Sequence, residues 1–404
     1  MSRLEQLKLL KAAYEQTLRQ DIVPFWLKHS IDRQNGGIYN CLDDYGRLLS
    51  GDKFLWSQGR ALWTFSALYN RIEKKQEWID LAESIFLFIA RHGRDEDGRW
   101  MFKLDSEGSV KERDISIYAD GFVMNGLGEY YVATGDKKAA QLAVETYENT
   151  YSRLQKPGSY GTFPYALPEG FKTHGINMIF GFFYHNLGKQ LGRKDISQSG
   201  HRLAMEVLND FYSPQKDAVL EFVTLQGNHA DTPMGRACVP GHVLESMWFL
   251  IDIFEDLNDK EIIQKCCKLI ERHLELGWDD EYKGVLLSID IDGLNPPYWD
   301  KADYKPWWVH VEALVATAYA LLHSKEQWCL DWHMKIKQYA FAHYPVPEGE
   351  WTQWLDRYGN KGISAALPVK DAFHLPRALI YLISVLGRII SEVEEQCMVQ
   401  SLSD

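Results

Sequence analysis

Met178-Ile179-Phe180-Gly181-Phe182-Phe183-Tyr184 runs for seven residues without a charged side chain. A helix at a protein surface shows one apolar stripe and one polar face. A segment apolar all round is expected to be covered on every side, so this one reads as part of an inner helical layer. What covers it must come from the rest of the chain.

Working outward, a short Gly-plus-aromatic signal recurs: Gly36-Gly37-Ile38-Tyr39, Asp97-Gly98-Arg99-Trp100-Met101-Phe102, Tyr160-Gly161-Thr162-Phe163-Pro164-Tyr165, Ala218-Val219-Leu220-Glu221-Phe222, Tyr282-Lys283-Gly284-Val285-Leu286-Leu287 and Glu348-Gly349-Glu350-Trp351-Thr352. From Gly37 through Gly98, Gly161, Leu220 and Gly284 to Gly349 the steps are 61, 63, 59, 64 and 65 residues. Such regularity marks a repeated supersecondary unit. Between markers the hydrophobic period passes from 2 to 3.6 and back, leaving room for two helices each time. An inner set is expected to begin near Asp52, Arg113, Lys172, Cys238, Tyr304 and Lys370. The outer set is expected at Leu4 to His29, Gln76 to His92, Asp136 to Leu154, Asp195 to Phe211, Asp259 to Leu276 and Lys325 to His343. Gly135-Asp136 and Asn258-Asp259 supply stops and N-caps between paired helices.

Six helical hairpins can stack as an open superhelix or close as a ring inside a ring. The apolar inner helices favour closure. The expected fold is all-α, an (α/α)6 barrel with short strands and loops framing a pocket at one end. Residues 1–392 read as one catalytic domain and 393–404 as a polar C-terminal tail.

The chain has 404 residues, 46% hydrophobic and 13% aromatic with 14 Trp, enough for a large core. With 44 basic against 56 acidic residues the formal charge is -12, which disfavours nucleic acid and anionic membrane as partners. No apolar run is long enough to span a bilayer, and Met1 to Gln20 reads as a charged amphipathic helix, not a signal peptide. Cys41, Cys238, Cys266, Cys267, Cys329 and Cys397 show no CxxC pairing, as expected of reduced thiols in a cytoplasmic protein.

Polar and aromatic residues concentrate at the starts of the inner helices. Pro240-Gly241-His242-Val243-Leu244-Glu245-Ser246-Met247-Trp248-Phe249 puts His242 and Glu245 on one helix side. Equivalent places hold Trp56 to Arg60, Tyr118 to Asp120, Asn177, Trp307 to Glu312, and Phe373 to Arg377. Each has a structural alternative. Arg60 can pair with a framework carboxylate, Trp307 and Trp308 can fill a core, Glu312 can sit on a helix dipole, and His374 can belong to a turn set by Pro376. Against this, Arg60, His242, Glu312 and His374 come from four different repeats yet occupy one tier. Convergent ionisable groups in an aromatic hole are costly to bury without a function. The aromatic walls suggest a sugar.

Trp56-Ser57-Gln58-Gly59-Arg60, Pro240-Gly241-His242 to Trp248-Phe249, Trp307-Trp308 to Glu312-Ala313, and Phe373-His374-Leu375-Pro376-Arg377 resemble the signature segments of the N-acylglucosamine 2-epimerase family, also called renin-binding proteins. The resemblance runs in order from about Phe25 to Arg377. It implies an (α/α)6 barrel interconverting N-acetylglucosamine and N-acetylmannosamine, and activity that depends on Arg60, His242, Glu312 and His374. Inverting C2 beside a C1 carbonyl needs two groups of near-neutral pKa on opposite sides of the substrate. His242 and His374 are the expected acid/base pair, Arg60 steadies the enediolate oxygen, and Glu312 orients an imidazole, as Glu245 does for His242. Trp56, Tyr118, Asn177, Glu245, Trp308 and Arg377 are the expected substrate contacts.

Related cellobiose 2-epimerases and mannose isomerases carry a further histidine after the start of the third inner helix, where this chain has Asn177-Met178-Ile179-Phe180. That favours the acylamino-sugar branch. Asp371-Ala372 replaces a cysteine of vertebrate-like members and changes the pocket's polarity there. The chemistry requires no metal and no cofactor. ATP enters only as an activator implied by the resemblance, since no phosphate-binding glycine loop is present. A homodimer is the expected assembly. The competing readings are an aldose-ketose isomerase of the mannose type, a mannose or cellobiose 2-epimerase, a glycoside hydrolase using Asp120 and Glu312 as its carboxylate pair, and a protein-binding scaffold with its aromatic residues on an outer concave surface.

Overall fold

A computed structural model describes residues 2–403 apart from 157, 296 and 363–366, with side chains through Met398. In chain order its helices are α1 (Arg3–Gln16), α2 (Val23–His29), α3 (Leu55–Arg71), α4 (Gln76–His92), α5 (Ile117–Thr134), α6 (Lys137–Leu154), α7 (His174–Leu191), α8 (Lys194–Glu206), α9 (Pro240–Asp256), α10 (Lys260–Gly277), α11 (Trp307–Ser324), α12 (Gln327–His343) and α13 (His374–Ser403). Asp136 and Asp259 cap α6 and α10, each accepting a backbone N–H with its carboxylate.

Helix α3 packs on α5, α5 on α7, α7 on α9, α9 on α11 and α11 on α13, and α13 returns to α3. The ring therefore closes, and the open superhelix is excluded. Outside it, α4, α6, α8, α10, α12 and α1 pack on α3, α5, α7, α9, α11 and α13 in turn. At the closing seam Arg60 pairs with Asp371, Thr64 bonds the Ala372 carbonyl, and Trp63 stacks on Tyr381. The stretch that suggested an inner layer is indeed buried at Met178, Phe180, Phe182, Phe183 and Tyr184. Phe182 stacks on Phe249 with centroids 3.9 Å apart, and removing such a ring from water contributes about 2 kcal/mol. The α3–α5 crossing is tight because a Cβ on Gly126 would come within 2.4 Å of the Gly59 carbonyl.

Five of the six marker segments fold back on the chain leaving an outer helix. Ile38 pairs with Ile31, Trp100 with Arg94, Val285 with Trp278, and Trp351 with Pro345, while Ala218–Val219 pairs with Tyr212–Ser213. The third marker differs, Thr162 pairing with Ser116 ahead of α5. Buried backbone donors must be satisfied, and helix side chains do it here. The N–H of Ile38 goes to Gln58 Oε1 (3.0 Å), that of Trp100 to Asp120 Oδ1 (3.2 Å), that of Val219 to His273 Nε2 (3.0 Å) and that of Val285 to His310 Nε2 (2.9 Å). Gln58, Asp120 and His310 are each the fourth residue of their inner helix, so on α3, α5 and α11 that position faces outward to the framework.

Three boundaries depart from the sequence reading. Leu4 to His29 is interrupted by a π-helical segment, Thr17–Ile22, just ahead of Pro24, whose missing N–H prevents a regular ladder. Asp195 to Phe211 likewise ends in a π-helical segment, Val207–Phe211. The stretch 393–403, expected as a polar tail, continues α13; residue 404 lies outside the described residues. Among the described residues no helix is long and apolar enough to cross a membrane.

Candidate active site

The first turns of the inner helices, with the loops above them, enclose a cavity of about 700 Å³. Trp56, Tyr118, Gly175, His242, Trp308 and His374 each bring one inner helix to its wall. All six helices begin at this cavity, so the positive ends of their dipoles converge on it.

His374 opens α13. Its Nδ1 lies 2.8 Å from Glu312 Oε1, and Glu312 is fully buried on α11 below the cavity wall. Glu312 Oε2 accepts the Trp248 indole N–H at 2.9 Å, and Arg377 donates to Oε1 at 2.6 Å. Arg377 also bonds Glu245. Burial works to raise the Glu312 carboxyl, but Arg377 and His374 more than offset it, and the group is held below the usual carboxylate range. Glu245, Glu312 and His374 converge closely enough to surround a cation, and the Arg377 guanidinium occupies that position.

His242 faces the same cavity from α9. Its Nδ1 lies 3.0 Å from Glu221, whose other oxygen accepts from Thr173 Oγ1 at 2.9 Å. Burial pushes the imidazole down, yet Glu221 beside it, helped by Glu245, carries it above its ordinary value. The support assigned from sequence to Glu245 thus comes from Glu221. Glu245 lines the cavity and turns to Arg377 instead, because the Nδ1 edge of His242 points off its own helix toward the bend that holds Glu221. The signal for Glu221 was present as a charged residue inside the buried marker Ala218 to Phe222, a segment otherwise apolar.

The two imidazoles are neighbours of one indole. Trp308 has its ring centroid 5.2 Å from that of His242 and 5.8 Å from that of His374, so the imidazoles are no farther apart than those two distances laid end to end. Among the described residues nothing bonds Nε2 of either ring. Side-chain exposure is 32% for His242 and 11% for His374.

Arg60 lines the cavity, its Nη1 2.9 Å from Asp371 Oδ1 and its guanidinium packed on Trp56, Phe122 and Phe373. The other Asp371 oxygen accepts the His374 N–H at 2.8 Å, tying Arg60 to the start of α13. Trp56, Tyr118, Trp308 and Arg377 also line the cavity. Asn177 does not. It is the fourth residue of α7, the position that faces outward on α3, α5 and α11, and its amide bonds Glu206 Oε2 at 2.7 Å on α8. The hydrolase pair fails for the same reason. Asp120 is a fourth-position residue that binds Trp100 and Arg153, and burial pushes it up to about 7 despite Arg153. His310, with Nε2 taken by Val285 and Nδ1 3.1 Å from the Pro306 carbonyl, is also framework. Aromatic and basic groups face inward, against the scaffold reading.

A family model described as N-acylglucosamine 2-epimerase matches residues 37–378. The N-acylglucosamine 2-epimerase of Mus musculus is 28% identical, the match covering 96% of this chain and 95% of that one. The cellobiose 2-epimerase of Dictyoglomus turgidum is 25% identical over 92% of this chain and 96% of its own. Among solved structures, a sugar epimerase from a ruminal bacterium superposes with a TM-score of 0.80 at 21% identity, covering 93% of this chain and 98% of that one, a likeness of fold.

Proposed function

The chain belongs to the N-acylglucosamine 2-epimerase family, a family of carbohydrate 2-epimerases, and from that membership we propose that it interconverts N-acylglucosamine and N-acylmannosamine. One observation carries the reading: two imidazoles share a cavity, each with Nδ1 held by a buried carboxylate and Nε2 without a partner among the described residues. A carboxylate on Nδ1 fixes the tautomer, so Nε2 is the nitrogen that exchanges protons. With the open-chain sugar between them, one Nε2 removes the C2 proton and the other returns a proton to the opposite face; the roles exchange with direction.

Charge supports the same sequence of events. Glu221, Glu245, Glu312 and Asp371 face or underlie the cavity with two guanidiniums, Arg60 and Arg377. The fixed groups are thus two positive charges short, a deficit two imidazolium rings make good. Deprotonating the sugar puts a proton on the second imidazole while the enediolate takes the negative charge, so the net charge of the site and sugar is unchanged and the new negative charge forms between two positive rings. Arg60, beside Trp56, steadies the enediolate oxygen, aided by the converging helix ends. Both guanidiniums are already matched by carboxylates, which suits an uncharged sugar better than a phosphorylated one.

Proton NMR of N-acetylglucosamine with the protein in deuterated water is the test. Deuterium at C2 together with N-acetylmannosamine is the expected result. Fructose formed from mannose, or exchange only with cellobiose, would replace this substrate with that of a rival. Repeating the assay with ATP examines the nucleotide activation that the resemblance implies, with ATP as regulator and not reactant. A cytoplasmic homodimer completes the proposal; free cysteines, five of the six buried, suit a reducing compartment, and light scattering checks the dimer.

A further inference from the structure

Behind His242 stands a third imidazole that the reaction does not use. His174 opens α7 and is fully buried, with its ring centroid 6.4 Å from that of His242. Its Nε2 lies 2.7 Å from Ser246 Oγ, one helical turn beyond His242 on α9. Its Nδ1 has no hydrogen-bond partner among the described residues and is 3.9 Å from the same Glu221 oxygen that His242 binds.

Glu221 therefore sits between two rings and bonds one. It is buried, and no Lys or Arg forms an ion pair with it among the described residues; its partners are His242, His174 and Thr173. A buried carboxylate without a counter-charge is expensive, so a proton on one of the two imidazoles must match it. Ser246 holds His174 turned away, leaving the shorter bond to His242. We propose that Glu221 is the positioning residue of His242, making Nε2 the reacting atom and keeping the balancing proton on that ring, and that the Ser246–His174 contact keeps His174 from competing for it. Burial, opposed by Glu221, pushes His174 down to about 4, in line with a ring that stays neutral. The groups facing His242 are Glu221, Glu245 and His174, and the two carboxylates act on it in one direction.

This role rests on the epimerase reading, and the test separates the two. His242 is titrated by NMR in the full chain with labelled histidine and no sugar, and kcat and KM are measured alongside. In Glu221→Gln the His242 midpoint falls by about one pH unit, kcat falls about 10²-fold, and KM moves less than about threefold, the pattern of a lost supporting carboxylate. Glu221→Asp recovers part of both changes and serves if the glutamine variant does not fold. Ser246→Ala, which frees His174, moves the midpoint the same way by less. An unmoved midpoint in Glu221→Gln overturns the role of Glu221, and an unmoved one in Ser246→Ala overturns that of His174. A wild-type protein that turns over no acylamino sugar defeats the epimerase reading, while the titration still judges Glu221.

Discussion

His374 and His242 present Nδ1 to buried carboxylates at nearly equal distances, 2.8 Å to Glu312 and 3.0 Å to Glu221, but what stands behind the carboxylates differs. Glu312 is also held by Trp248 and Arg377, and Arg377 in turn by Glu245, so α9, α11 and α13 are locked together through it. Glu221 has one further hydrogen-bond partner in Thr173, with the His174 ring 3.9 Å away, and sits in a bend between two short strands. One wall joins catalysis to the barrel's integrity. The other joins catalysis mainly to charge.

The largest effects come from removing the imidazoles themselves. His242→Ala and His374→Ala should each lower epimerisation by about 10⁴-fold with the protein still folded, the upper range for general acid–base groups. Deuterium exchange sharpens the comparison. Each variant should still exchange the C2 proton of one epimer, and the two variants should retain opposite epimers. Retention of the same epimer by both would show that the rings do not serve opposite faces.

Next comes Glu312→Gln, expected to cost about 10²-fold in kcat and about 3 kcal/mol in stability, since it breaks a buried charge pair and leaves Arg377 to Glu245. Glu221→Gln should lose kcat with a smaller fall in denaturation midpoint. Equal stability losses in urea titrations would erase the proposed difference between the walls.

The framework imidazoles respond to pH in the opposite sense to His242. Burial lowers His174, His185 and His273 to about 4 and His310 and His333 to about 3. Their unfolded forms take up protons as pH drops below about 6.5 while the folded forms do not, so stability falls with pH by about 1.4 kcal/mol per unit for each. His242 goes the other way: its raised value gives stability present below about 6.5 and lost as pH rises through the folded-state value. The melting temperature should drop from pH 7 to pH 5, and a flat profile would contradict the buried neutral histidines. The smallest effect is expected from Asn177→Ala, with kcat/KM within about threefold of wild type and about 1 kcal/mol lost through its bond to Glu206. A large kcat effect would return Asn177 to the site.

Much of this was legible beforehand where the signal is local. Gln76–His92 falls where the periodicity puts it, Asp136 and Asp259 cap the helices they precede, and the four signature segments bring Arg60, His242, Trp308 and His374 to the cavity. The sequence carries a second repeat: Asp43, Asp105 and Asp356 each precede a glycine three residues on, and each accepts two backbone N–H groups of its turn. Asn177 was misplaced because residue type alone does not say which side of an inner helix faces the axis. Gln58, Asp120 and His310 at the same helical position show that it faces out.

The order and number of helices, their inner or outer character and the polar tier at their starts were determined by the sequence itself, because periodicity and capping act within a few residues. Which carboxylate serves which imidazole was decided only in three dimensions. His242 had Glu245 three residues away and took Glu221, while His374 took Glu312 from another helix. Helical spacing sets which residues share a side, whereas a hydrogen bond depends on where a ring edge points after six hairpins have closed around one axis.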